Sequence, residues 1–151
     1  MNIPQRTHYA GELRGEHIGQ KCTINGWIDS NRDLGGLLFL DIRDRAGIVQ
    51  CVVEPSDATM YLYEEGKKLR SEFVVSIEGM VRQRSNPNSK MLTGQIEILI
   101  SSIQVLNESE VPPFVIEEEI TANEDLRLKY RYLDLRRPSL QQNLMRRHKI
   151  T

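Results

Sequence analysis

Hydrophobic and polar residues alternate along most of the first hundred positions, and the alternation breaks where turn-forming residues cluster. Over 21–29, Cys22, Ile24, Gly26 and Ile28 fall on one face and Thr23, Asn25, Trp27 and Asp29 on the other, which predicts a half-buried strand. Residues 31–36 (Asn-Arg-Asp-Leu-Gly-Gly) interrupt it with turn chemistry. A second strand over 37–43 turns Leu38, Leu40 and Ile42 inward and Leu37, Phe39, Asp41 and Arg43 outward. Ala46 and Gly47 make the next turn. A third strand over 48–53 sends Val49, Cys51 and Val53 inward and Ile48, Gln50 and Val52 outward.

From 56 to 70 the period lengthens: Leu62, Gly66 and Leu69 share a helical stripe, and Ser56 and Asp57 can cap the start. Alternation returns over 72–84, with Phe73, Val75, Ile77, Gly79 and Val81 inward and Val74, Ser76, Glu78, Met80, Arg82 and Arg84 outward. A polar loop over 85–90 follows. A last strand over 95–105 has Ile96, Ile98 and Ile100 inward and Gln95, Glu97 and Leu99 outward. Three strands, one helix and two strands predict an all-β fold, the five-stranded Greek-key barrel of the OB-fold. Past it the pattern changes. Pro112-Pro113 amid acidic residues marks an extended connector, 123–137 is charged and helix-compatible, and Pro138 starts a further helix over 139–151. The expected division is a barrel domain over 1–106, a partly helical hinge over 107–137, and the start of another domain over 138–151.

Composition narrows the partners. The chain has 151 residues, 39% of them hydrophobic, enough for one core plus an appendage. A net charge of −1 is unlike the strongly basic balance of a generic nucleic-acid binder, so such a role would rest on local charge placement. Residues 1–6 open no signal-peptide pattern and no apolar run is long enough to cross a bilayer, which reads as cytoplasmic with no membrane partner. Cys22 and Cys51 lie in strand-like runs without clustered His or Cys neighbours, as buried free thiols do; no metal site is expected. His8, His17 and His148 are scattered, and no catalytic residue is assigned.

The outward face carries the candidate chemistry. Phe39 offers a ring that can stack a base, or can pack beneath a neighbouring loop. Gln50 presents donor and acceptor together, as a base-pairing edge requires, or is simply solvated. Arg82 and Arg84 lead toward Asn86 and supply planar forks for phosphate or base, or else protect a charged edge strand. Glu97 repels phosphate, so within a nucleic-acid groove it fits best as a reader of adjacent N–H donors, which guanine has.

Residues 127–138, RLKYRYLDLRRP, closely resemble the hinge that joins the anticodon-binding and catalytic domains of bacterial-type aspartyl-tRNA synthetases. The resemblance extends through 9–14 (YAGELR), 26–28 (GWI), 32–45 (RDLGGLLFLDIRDR), 47–50 (GIVQ) and 93–97 (TGQIE). It implies that the barrel grips the GUC anticodon arm of tRNA-Asp. Phe39 would stack on an anticodon base, Gln50 and Arg32 would address the middle uracil, and Glu97 would read the first guanine or its modified form. Arg82, Arg84 and Asn86 would hold the last cytosine and nearby backbone. The resemblance also implies a class II catalytic domain beyond Thr151, acting on aspartate with ATP and Mg, and a homodimer formed largely through that domain. On that reading this chain itself carries no cofactor, is inactive alone and is free to be monomeric. The chain departs from the family pattern at Asp29-Ser30-Asn31, where consecutive arginines are common, and in a short loop after Arg84. Two other classes stay open: a free-standing OB module binding single-stranded nucleic acid without sequence preference, and a protein-interaction barrel.

Overall fold

In the computed structural model, which describes residues 4–119 and 121–151, the alternating segments become five strands. The first half of the 1–6 segment therefore lies outside the described residues. β1 spans Lys21–Leu34, β2 Leu37–Arg43, β3 Ile48–Val53, β4 Val74–Gln83 and β5 Ile96–Asn107, with helix α1, Met60–Lys67, between β3 and β4. They close a barrel in the order β1-β2-β3-β5-β4, the expected OB-fold. Every neighbouring pair is antiparallel except β3 and β5, which run parallel at Cys51↔Ile98 and Val52↔Leu99.

The inward residues read from the alternation, among them Ile24, Leu40, Val49, Ile77 and Ile98, form one buried cluster. Fully burying each such side chain contributes about 1.5–3 kcal/mol, so this cluster is the main force for closure. Where backbones crowd, glycine is required: a Cβ on Gly79 would lie 2.3 Å from the Leu99 carbonyl oxygen of the neighbouring strand.

The first strand differs from expectation. Residues 31–34 do not break it; β1 continues to Leu34 and the turn is Gly35-Gly36 alone, with φ 63° and 89°. Two left-handed residues match the twist of a two-residue hairpin, so the strands need no longer loop. The register slips between Ile28 and Ser30, making Asp29 a bulge. Before it, even-numbered residues face the core; after it, Ser30, Arg32 and Leu34 face outward, opposite Asp41, Phe39 and Leu37. Asn31 instead donates to the carbonyls of Gly66 and Leu69 at 2.9 and 2.8 Å, satisfying the end of α1, and Asp33 accepts from the Tyr63 hydroxyl at 2.7 Å.

Arg43, expected outward and polar, is only 8% exposed. It donates to Asp29 at 2.5 Å and to both oxygens of Glu72 at 2.6 and 2.8 Å. Glu72 sits at φ 68°, a left-handed conformation that costs a non-glycine residue roughly 1–2 kcal/mol and that the charged contact from one Arg43 nitrogen to both carboxylate oxygens helps to hold. α1 is shorter than the 56–70 segment and begins after Thr59, not at Ser56 or Asp57. The Thr59 hydroxyl donates to the Glu54 carbonyl at 2.6 Å and accepts from the Ser56 amide at 2.9 Å, closing a turn ahead of the helix.

The chain divides into two compact units, 1–110 and 111–151. In the second, α2 spans Glu124–Lys129, α3 Arg131–Asp134 and α4 Pro138–Ile150; Leu126 of α2 and Leu133 of α3 meet Phe114 and Ile116 in a small cluster, to which α4 adds no buried residue. The 123–137 stretch is thus not one helix: it breaks at Tyr130 (φ −106°, ψ 47°). Asp134 accounts for the break. It is fully buried and bonded by Arg127 (3.3 Å), Arg131 (2.8 Å) and Arg137 (2.8 Å), and a buried carboxylate must be paired from several directions.

The buried charges and thiols make stability testable in two ways. Arg43→Met removes the guanidinium from Asp29 and from buried Glu72, and should lower stability by about 3 kcal/mol, read from the urea midpoint. Burial pushes the Cys22 thiol up to about 11 and Cys51 well above the ordinary value of 9.0, Cys51 also through nearby Cys22, Asp41 and Glu97. The unfolded chain then releases thiol protons first, so this contribution is complete below the ordinary value and is lost as pH rises from there toward about 11. Urea titrations across that window should show a steeper loss for the native chain than for Cys22→Ala/Cys51→Ala.

Candidate nucleic-acid interface

The bulge at Asp29 decides what stands on the barrel's outer face. It sets Arg32 beside Phe39, while β3 sets Val52 beside Phe39 and Gln50 beside Asp41. On the other side, the β4–β5 ladder pairs Arg82 with Glu97. Together these strands enclose a groove of about 330 Å³. All seven residues singled out from the sequence line it: Arg32, Phe39, Gln50, Arg82, Arg84, Asn86 and Glu97. Five more do so that the sequence pattern did not single out: Leu34, Leu37, Val52, Glu54 and Ser85. Strand parity carried the signal for most of these, because 34 and 37 flank the hairpin turn and 52 and 54 continue the outward series from 50.

The floor of the groove is an ordered polar network. Glu97 is only 4% exposed. One of its oxygens accepts from the Gln50 amide at 2.9 Å; the other accepts from Arg82 at 2.9 Å through Nε and 2.8 Å through the guanidinium terminus. Arg82 also donates to Glu54 at 2.5 Å. The hydrogen bond to Glu54, with a further one to Glu97, holds the Arg82 proton more firmly than usual, against the opposing effect of burial. Arg32 donates to Asp41 at 2.7 Å, and the Ser30 hydroxyl donates to the same oxygen at 2.6 Å. Arg84 has no ion pair among the described residues.

The solvated alternative for Gln50 falls here. Gln50 and Glu97 face outward as alternation requires, but neither is solvated: both are buried against one another across strands 47 residues apart in sequence. Alternation gives a side chain's face and not what covers that face. The loop after β4 is folded on itself, with the Asn88 amide donating to the Gly94 carbonyl at 2.9 Å and the Asn88 side chain accepting from the Lys90 amide at 3.1 Å. Asn88 therefore organises the loop, while Asn86 reaches the groove.

The chemistry of this arrangement is selective. Three arginines face two carboxylates along the lining, a small positive balance with little reach beyond the groove. Glu97 can only accept, and a carboxylate has about four acceptor positions, so a ligand group bringing N–H donors can join those already there. Phe39, half-buried, offers part of its ring, with Val52, Leu34 and Leu37 as apolar neighbours. The combination suits a flat, donor-bearing ring.

Residues 22–106 match the OB-fold nucleic acid binding domain of the tRNA anti-codon type. The chain belongs to that family. Among curated relatives, this OB-fold chain is 47% identical over 147 residues to an aspartate–tRNA ligase 2 of Streptococcus mutans, which covers 97% of the chain and 25% of that protein. It is 49% identical over 152 residues to an aspartate–tRNA(Asp/Asn) ligase of Halothermothrix orenii, covering 99% of the chain and 26% of that protein. The chain therefore spans about a quarter of the length of these relatives. Among solved structures, an asparaginyl-tRNA synthetase from Pyrococcus horikoshii complexed with asparaginyl-adenylate is similar with a TM-score of 0.71 and 30% identity, over 90% of this chain and 30% of that one.

Removing the cation from this floor should be costly. Arg82→Met leaves Glu97 buried beside an apolar stem, and stability at neutral pH should fall by about 1–3 kcal/mol. Urea midpoints of the two chains measure the loss.

Proposed function

We propose that this chain is the anticodon-recognising part of an aspartate–tRNA ligase, reading the GUC anticodon arm of tRNA-Asp. The observation that carries the reading is the buried Glu97 carboxylate, oriented by Gln50 and Arg82 at the floor of a groove that also holds Phe39. Guanine presents two adjacent N–H donors on its pairing edge, and adenine in the same position turns an acceptor toward the carboxylate. Glu97 would thus select the first anticodon base by what it cannot tolerate as much as by what it binds.

The other roles follow the groove. Phe39 stacks a splayed base; Gln50, whose amide N–H is committed to Glu97, offers its carbonyl oxygen to the middle uracil, with Arg32 from the hairpin. Arg84 and Asn86, with the part of Arg82 that Glu54 and Glu97 leave open, hold the last cytosine and nearby backbone. The whole protein would activate aspartate with ATP and Mg and transfer it to tRNA, as a cytoplasmic homodimer. Support for this wider reading comes from the names of the relatives, matched over nearly all of this chain. No helix among the described residues is long and apolar enough to cross a membrane.

Titrating the chain with anticodon stem-loops tests the reading. GUC should bind about tenfold more tightly than the variant with adenine first, the scale expected for one unsatisfied buried polar group. Glu97→Gln should erase that preference. Phe39→Ala should weaken every stem-loop by about 1–3 kcal/mol through lost stacking. Equal binding of GUC, its variants and unrelated single strands would sink the proposal in favour of a generic OB module.

A further inference from the structure

We infer that Glu54 is a specificity-determining residue of the groove: it occupies Arg82 so that a strand cannot be captured by its phosphates alone. The inference rests on the nucleic-acid reading above and names a residue outside the roles assigned there.

Glu54 follows β3 directly and continues the outward parity of Gln50 and Val52 into the groove lining. Its carboxylate accepts from an Arg82 guanidinium nitrogen at 2.5 Å, and that same nitrogen lies 2.8 Å from Glu97. The two carboxylates differ in need. Glu97 is buried, its charge must be matched in place, and the Arg82 Nε bond already does so. Glu54 has a side chain 47% exposed, and water would solvate it without a partner. A pair of this kind adds little to folding, so its effect is on what the groove attracts.

That effect is specific to the guanidinium fork. A free arginine fork binds phosphate through two parallel N–H bonds and carries no sequence information. With Glu54 and Glu97 sharing Nη2 and Glu97 also on Nε, both two-nitrogen edges of the Arg82 fork are engaged, and Nη1 alone cannot make the paired bonds by which a free arginine captures a backbone phosphate. Arg32 is likewise held by Asp41, and Arg84 is the groove arginine without an ion pair among the described residues. A strand entering this groove gains from its bases more than from its backbone, and wrong sequences gain less.

The test compares the intact chain with Glu54→Gln, using a uridine oligonucleotide as generic strand and stem-loops carrying GUC or its first-base variant, each over a range of salt. Glu54→Gln should bind the uridine strand about fivefold more tightly, the scale of one exposed ion pair released, and its log-affinity should fall with log salt more steeply by about one unit. The GUC preference should narrow. In an Arg82→Gln background the same Glu54 change should have no effect, which a general loosening of the fold would not reproduce. Unchanged uridine affinity and salt slope, or an equal gain without Arg82, overturns the inference. A native chain that fails to prefer GUC defeats the anticodon reading instead, while the uridine salt slope still decides the role of Glu54.

Discussion

The bulge at Asp29 is the constraint on which both barrel and groove depend. Up to Trp27, β1 pairs with β4; beyond the bulge it pairs only with β2, out to a two-glycine turn. One extra residue exchanges the inner and outer faces of a strand. Without it, Arg32 would point to the α1 side with Asn31 in its place on the outer face, and neither the helix anchor nor the groove wall would form. Arg43 pins the bulge by holding Asp29 and, through Glu72, the entry to β4. The buried charge at that corner is thus coupled to a site several residues further along the hairpin.

The groove reconciles a mildly acidic chain with a nucleic-acid fold. Long-range attraction is weak when the total charge is −1, and the groove arginines are mostly engaged by carboxylates. What the groove provides instead is a fixed acceptor, a ring and an amide, all held before a ligand arrives. Groups ordered in advance lose less freedom on binding, so on the proposed reading discrimination would come from matching donors to acceptors and not from gathering phosphates.

Much of this was legible in the sequence because strand alternation is a local property. The inward faces of β2 through β5 follow from spacing two apart, and so does the outward placement of Phe39, Arg82 and Glu97. What local pattern could not supply is whatever depends on distant segments. Gln50 and Glu97 are brought together by the parallel β3–β5 pairing, and their burial has no signature at either position. Asn31 and Asp33 carry turn chemistry in their composition, yet α1 recruits them as anchors, which only the tertiary arrangement reveals. The face change at Asp29 has no local sign either: Ser30 to Asp33 are all polar and give no hydrophobic parity to read.

Three buried carboxylates among the described residues are held by arginine, and the differences among them separate scaffold from site. Glu72 takes one Arg43 nitrogen between its two oxygens, and Asp134 is enclosed by Arg127, Arg131 and Arg137 with no exposed surface. Neither lines the groove, and each holds its own segment in shape: the left-handed entry to β4 in one case, the broken helix of RLKYRYLDLRRP in the other. Glu97 is nearly as buried, but it borders the groove. Its partners come from β3 and β4 and leave one side open to a ligand. Burial and ion pairing alone would not have distinguished it. Access does, because a carboxylate already desolvated and oriented can pair with an incoming N–H without further rearrangement, whereas an enclosed one can only hold the fold.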